Sequence, residues 1–81
     1  MSFFVYILQN VEGRYYIGQT SDLVIRLKKH NEGKAFWTKS RGPWKVVCSR
    51  QYMSRSEAMG EEHRLKRLKS TKALEAYISQ R

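Results

Sequence analysis

Two tyrosines ten residues apart, Tyr6 and Tyr16, precede Arg26 by a further ten residues, and His30 follows one helical turn later. Glu62 stands on a later stretch of helical pattern. These residue types match the needs of phosphodiester hydrolysis. That reaction requires a positioned and deprotonated water, neutralised phosphoryl oxygens and help for the leaving oxygen. An arginine can grip a phosphate bidentately, or it can be a solvated helix-edge cation. A phenol titrates near 10 and needs neighbouring cations before it can serve as a base. Tyrosine is also common in strands for packing reasons alone. His30 titrates near neutrality and is a second candidate base, or an ordinary half-buried helix histidine. Glu62 could ligate a divalent cation, since one carboxylate plus waters and substrate phosphate is a normal Mg²⁺ arrangement. It could equally pair with Lys66, four residues on. Glu61 lies between Leu65 and Leu68 on the helical wheel and competes for the same role.

Charge narrows the partner. The 81 residues carry 16 Lys and Arg against 7 Asp and Glu, a net charge of +9. A polyanion is the expected partner: nucleic acid, an anionic membrane or an acidic protein surface. Lys28, Lys29, Lys34, Lys39, Arg41, Lys66 and Lys69 are candidates for that contact, with Arg64, Arg67 and Lys72 beside them. Phe36 and Trp37 lie among Lys34, Lys39 and Arg41, where they could stack on bases or cover a core. With 41% hydrophobic residues, disorder is not expected. The single cysteine, Cys48, excludes an internal disulfide framework and fits a reducing compartment. No apolar run approaches the roughly 20 residues that span a bilayer. The opening residues lack a basic segment of the secretory kind. A cytoplasmic location without membrane contact is the expectation.

The elements that must position these side chains follow from pattern. Phe3–Gln9 is a continuous β-branched and aromatic run and predicts a strand buried on both faces. Arg14–Thr20 predicts a second strand. A three-residue loop, Val11-Glu12-Gly13, puts Gly13 in the left-handed position. That register pairs Asn10 with Arg14 and Tyr6 with Gly18, so Tyr6 and Tyr16 share a face as diagonal neighbours. A loop one residue longer or shorter would separate them. A helix follows, capped by Thr20 or Ser21, with Asp22 in its first turn and Gly33 at its exit. Leu23, Leu27 and His30 form its stripe, with Arg26 at the edge. Trp44–Met53 predicts a third strand, with Trp44, Val46, Cys48, Arg50 and Tyr52 on one face. Ser54 and Glu57 form a capping box for a helix reaching Leu68 or Lys69, whose apolar arc is Ala58, Met59, Leu65 and Leu68. Thr71–Ser79 predicts a last helix packing through Ala73, Leu74, Tyr77 and Ile78. The fold class is α+β: a three-stranded, mainly antiparallel sheet flanked by helices, in the order β-β-α-β-α-α, as one domain over residues 1–81.

Phe4-Val5-Tyr6 and Tyr16-Ile17-Gly18, with Arg26, His30 and a glutamate on the long second helix, resemble the motifs of the GIY-YIG nuclease superfamily. Ser54-Arg55-Ser56-Glu57-Ala58, Glu62 and Leu65-Lys66-Arg67-Leu68 resemble its small stand-alone bacterial branch. The resemblance covers nearly the whole chain. It departs at Phe4, where the superfamily name has Gly, at Gln19, where several members carry Lys, and in lacking a counterpart of a late Asn. The resemblance, and only the resemblance, selects Glu62 over Glu61 as a metal ligand. It implies a nuclease dependent on Mg²⁺ or Mn²⁺, acting on DNA through Tyr6, Tyr16, Arg26, His30 and Glu62. A non-catalytic nucleic-acid-binding module on the same fold is the alternative. A monomer is expected. A third reading, an interaction protein docking an acidic partner, predicts no nucleic-acid affinity.

Overall fold

A computed structural model describes residues 2–33, 42–68 and 70–80. Three strands, β1 (Phe3–Asn10), β2 (Tyr15–Thr20) and β3 (Trp44–Tyr52), form one antiparallel sheet in the order β2-β1-β3. Helices α1 (Leu23–Asn31), α2 (Arg55–Lys66) and α3 (Thr71–Ser79) complete the order β-β-α-β-α-α. The apolar run of β1 is explained by its place. As the middle strand it buries Val5, Tyr6, Ile7 and Leu8 on both faces.

The hairpin takes the expected register. Gly13 has φ +86°, a conformation that costs glycine little. The Asn10 amide donates to the Arg14 carbonyl, and Tyr6 pairs with Gly18. The Asn10 side chain accepts from the amides of Glu12 and Arg14, which locks the turn.

Strand β3 departs from simple alternation. Ile7 pairs with Cys48 but Leu8 pairs with Val46, so a bulge at Val47 resets the phase. Trp44 and Val46 pack with Tyr6 and Leu8, whereas Cys48 and Tyr52 pack with Val5 and Ile7. The expected common face for all five residues is therefore split in two. Helix α1 covers the first cluster through Leu23 and Leu27. Helices α2 and α3 cover the second through Ala58, Leu65, Leu74 and Tyr77.

Two helix ends differ from expectation. Asp22, not Thr20 or Ser21, caps α1, accepting from the Ile25 amide, while the Thr20 hydroxyl accepts from the Asp22 amide. The carboxylate reaches the third amide, and the hydroxyl holds the turn before it. Helix α2 keeps its Ser54–Glu57 box but ends at Lys66, with Arg67 as its cap. Met59, expected on the apolar arc, is 41% exposed. The helix seats on the sheet through Ala58 and Leu65, seven residues apart and nearly in line, which leaves a seam too narrow for Met59.

Candidate active site

Four of the five candidate side chains meet between the sheet and α1. Strand β1 carries Tyr6 and its neighbour β2 carries Tyr16, with ring centroids 6.4 Å apart. Leu23 and Leu27 seat α1 on the same face, which brings Arg26 and His30 inward. The Tyr6 hydroxyl lies 3.0 Å from His30 Nε2, and Arg26 Nε donates to the same oxygen at 3.2 Å. Arginine can only donate. The phenol oxygen thus accepts from Arg26 and shares a second hydrogen bond with His30 Nε2. Tyr6, through its hydrogen bond, raises the guanidinium's pKa most strongly, and the nearby Tyr16 raises it further. The Tyr16 ring sits 4.8 Å from the His30 ring and 6.5 Å from that of Trp44.

Burial divides this group. Tyr6 and His30 are each 1% exposed. Tyr16 and Arg26 are half-buried. Burial raises the Tyr6 pKa, overriding the opposing hydrogen bond from Arg26, so the phenol is neutral. Burial, helped by the Arg26 charge, holds His30 down to about 4, so the imidazole is neutral at physiological pH.

Gly18 makes the close approach possible. A Cβ at this position would lie 2.6 Å from the Tyr6 hydroxyl oxygen and 3.2 Å from Tyr16 Cε2. The glycine is a space requirement for the two phenols.

Glu61 and Glu62 flank the α2 seam on opposite sides. Glu61 accepts from Arg64 through two bonds of 2.8 and 2.9 Å and from the Tyr77 hydroxyl at 2.8 Å. Arg64 foremost holds its carboxyl down to about 2. Glu61 is thereby committed to tying α2 to α3. Glu62 is the carboxylate whose charge reaches Tyr6, where it disfavours the phenolate. Its side chain is 15% exposed and pairs with Lys66 at 2.9 Å. Both features anticipated for Glu62, the inward position and the Lys66 pair, occur together.

Among the described residues, no group of three or more His, Cys, Asp or Glu side chains is arranged to hold a metal. A divalent ion here would rely on Glu62, with water and phosphate oxygens completing its shell. Hard oxygen donors of that kind suit Mg²⁺, so the donor set fits.

Lys28 and Lys29 project from the outer side of α1, with Lys28 4.0 Å from Glu32. Lys66 is also exposed. Lys34, Lys39, Arg41 and Lys69, with Phe36 and Trp37, lie outside the described residues. Asn31 was not anticipated. Its side chain accepts from the Trp44 amide at 2.6 Å and donates to the Trp44 carbonyl at 3.1 Å. It thus ties the end of α1, next to His30, to the start of β3. An amide side chain ending a helix, ahead of a strand-opening tryptophan, was the only signal.

The order of elements is that of a GIY-YIG fold. The GIY-YIG catalytic domain profile matches residues 2–77. The chain belongs to the GIY-YIG family. It is 41% identical over 73 residues to the UPF0213 protein BH0048 of Halalkalibacterium halodurans, covering 89% of this chain and 78% of that one. It is 35% identical to the UPF0213 protein YazA of Bacillus subtilis, covering 96% and 79%. The solution NMR structure of the UPF0213 protein BH0048 from Bacillus halodurans superposes with a TM-score of 0.66 at 39% identity, covering 100% of this chain and 86% of that one. The family carries a nuclease-like function and implies a nucleic-acid substrate. Among the described residues, no helix is long and apolar enough to cross a membrane.

Proposed function

We propose that this chain is a metal-dependent nuclease that hydrolyses phosphodiester bonds in DNA, working as a single cytoplasmic GIY-YIG-like domain over residues 1–81 and as a monomer. The observation that supports it best is the shared Tyr6 hydroxyl, bonded at once to His30 and Arg26 beside a second phenol. Such a cluster is more than packing requires.

Roles follow from exposure. Tyr16 and Arg26 meet the substrate, because they are the accessible pair. Arg26 binds the phosphoryl oxygens and stabilises their growing charge. Tyr16 orients the attacking water and would take its proton in the phenolate form, which Arg26 and a bound metal would favour. Tyr6 and His30 are positioning residues: their hydrogen bond holds the phenol oxygen facing Arg26. Glu62 would hold Mg²⁺ or Mn²⁺, which supplies further neutralisation of the phosphate when bound. Lys66 then exchanges its partner Glu62 for a substrate phosphate. Lys28 and Lys29 add non-specific grip, each phosphate neutralised steepening the salt dependence by about one unit.

A cleavage assay over several DNA forms with Mn²⁺ tests the reading. Glu62→Ala is expected to remove metal-dependent cleavage. Equal product from wild type and variant would overturn it. The Glu62–Lys66 pair favours a second reading, a non-catalytic nucleic-acid-binding module, since that carboxylate already has a cation. That module would bind DNA in a salt-sensitive way with no loss on Glu62→Ala.

A further inference from the structure

A cavity of about 860 Å³ runs along the outer side of β2, from the hairpin to the junction of α2 and α3. Its size lies within the ~300–1,000 Å³ of small-ligand sites. Ile17, Leu65 and Leu68 line it, and Arg14 and Lys66 supply cations. Among the described residues, Glu12 is the one carboxylate in the lining, 3.9 Å from Arg14 in a solvent-exposed pair, which holds Arg14 only weakly. Two of its residues belong to the candidate active site: Tyr16, whose ring packs with those of Tyr6 and His30, and Lys66 through Glu62. The cavity therefore borders the candidate active site at these two residues.

We propose that this cavity is a subsite for one unpaired nucleotide flanking the scissile phosphate, its base on the apolar floor and its phosphate between Arg14 and Lys66. The proposal rests on the phosphodiester reading of the Tyr16–Arg26 site and adds a substrate class to it. Sugar and phosphate have no use for the Ile17, Leu65 and Leu68 side chains, whereas the face of a base does. In a duplex that face is covered by neighbouring base pairs, and exposing it costs a few kcal/mol. A single strand or a frayed end presents it freely. The substrate is thus a strand unpaired next to the cleavage point.

Binding in EDTA, where cleavage plays no part, tests the subsite separately from the chemistry. The probe is a short oligodeoxynucleotide with one 2-aminopurine, single-stranded or annealed to its complement. The expected result is about tenfold tighter binding of the single strand, in the range one stacked base supplies, with a change in 2-aminopurine emission. Leu68→Glu and Arg14→Glu are each expected to abolish that preference. Arg55→Glu makes the same charge change as Arg14→Glu at the far end of α2 and should weaken both forms alike. Arg14 and Arg55 are exposed, so their variants keep the test valid if Leu68→Glu fails to fold. Equal affinity for the two forms, or unchanged emission, overturns the subsite. If Mn²⁺-dependent, Glu62-dependent cleavage of duplex persists in that case, the nuclease reading stands without it. If single-strand preference holds but Glu62→Ala cleaves as wild type, the nuclease reading fails and the subsite remains.

Discussion

The backbone of Gly18 faces the Tyr6 hydroxyl so closely that a methyl group there would stand 2.6 Å from the oxygen. Tyr6 has no slack with which to yield, being 1% exposed and bonded to both His30 and Arg26. Gly18→Ala should therefore displace the phenol and cost ~1–3 kcal/mol, the usual toll of overpacking. Chemical denaturation measures this. An unchanged midpoint would mean that the ring has room that the geometry denies.

The two tyrosines should respond differently to loss of their hydroxyls. Tyr16→Phe is expected to keep the fold and lower cleavage by about 10²–10⁴, the span of general acid–base catalysis. Tyr6→Phe removes both bonds of a buried hydroxyl and should cost stability as well, ~1–3 kcal/mol. Paired melting curves and single-turnover rates separate the cases. Loss of stability in Tyr16→Phe and none in Tyr6→Phe would reverse the assignment.

His30 and Glu61 divide the acid sensitivity into two windows. The folded His30 pKa, about 4, lies below the ordinary imidazole value of 6.5, so the unfolded chain binds the extra proton first. Its contribution is complete above about 6.5, falls as pH drops from there to about 4, and is constant below. The Glu61 carboxyl is depressed from 4.5 to about 2, so its contribution is present above 4.5 and is lost between 4.5 and 2. His30→Gln should flatten the upper window and Glu61→Gln the lower one. Urea titrations at closely spaced pH values read both slopes. A single window abolished by either substitution would contradict the separation.

Lys28→Ala and Lys29→Ala should each reduce the slope of log affinity against log salt by about one unit on duplex DNA. Neither should shift the melting temperature appreciably, since both side chains are exposed and the Lys28–Glu32 pair is a surface contact. Fluorescence anisotropy across a salt series measures the slope. Unchanged slopes would move the DNA path off α1.

Local chemistry made the site's first half readable. Gly13 set the turn, the turn set the register, and the register put Tyr6 and Tyr16 on one face. The stripe of α1 then required Arg26 and His30 to face the same way. The bulge at Val47 was hidden because one inserted residue leaves each half of β3 with perfect alternation. The choice between Glu61 and Glu62 was open for a different reason. Adjacent residues on a helix flank its seam symmetrically, and what distinguishes Glu61 is a tertiary partner, Tyr77 from α3. Asp22 took the cap of α1 because Thr20 had already been used to hold the preceding turn.

The position of Tyr6 on the middle strand has a consequence for stability. Its backbone is hydrogen-bonded to neighbours on both flanks, so the anchor of the cluster shares the fate of the entire sheet and yields only when the protein melts. Helix α1, by contrast, meets this phenol through side chains, those of Arg26 and His30.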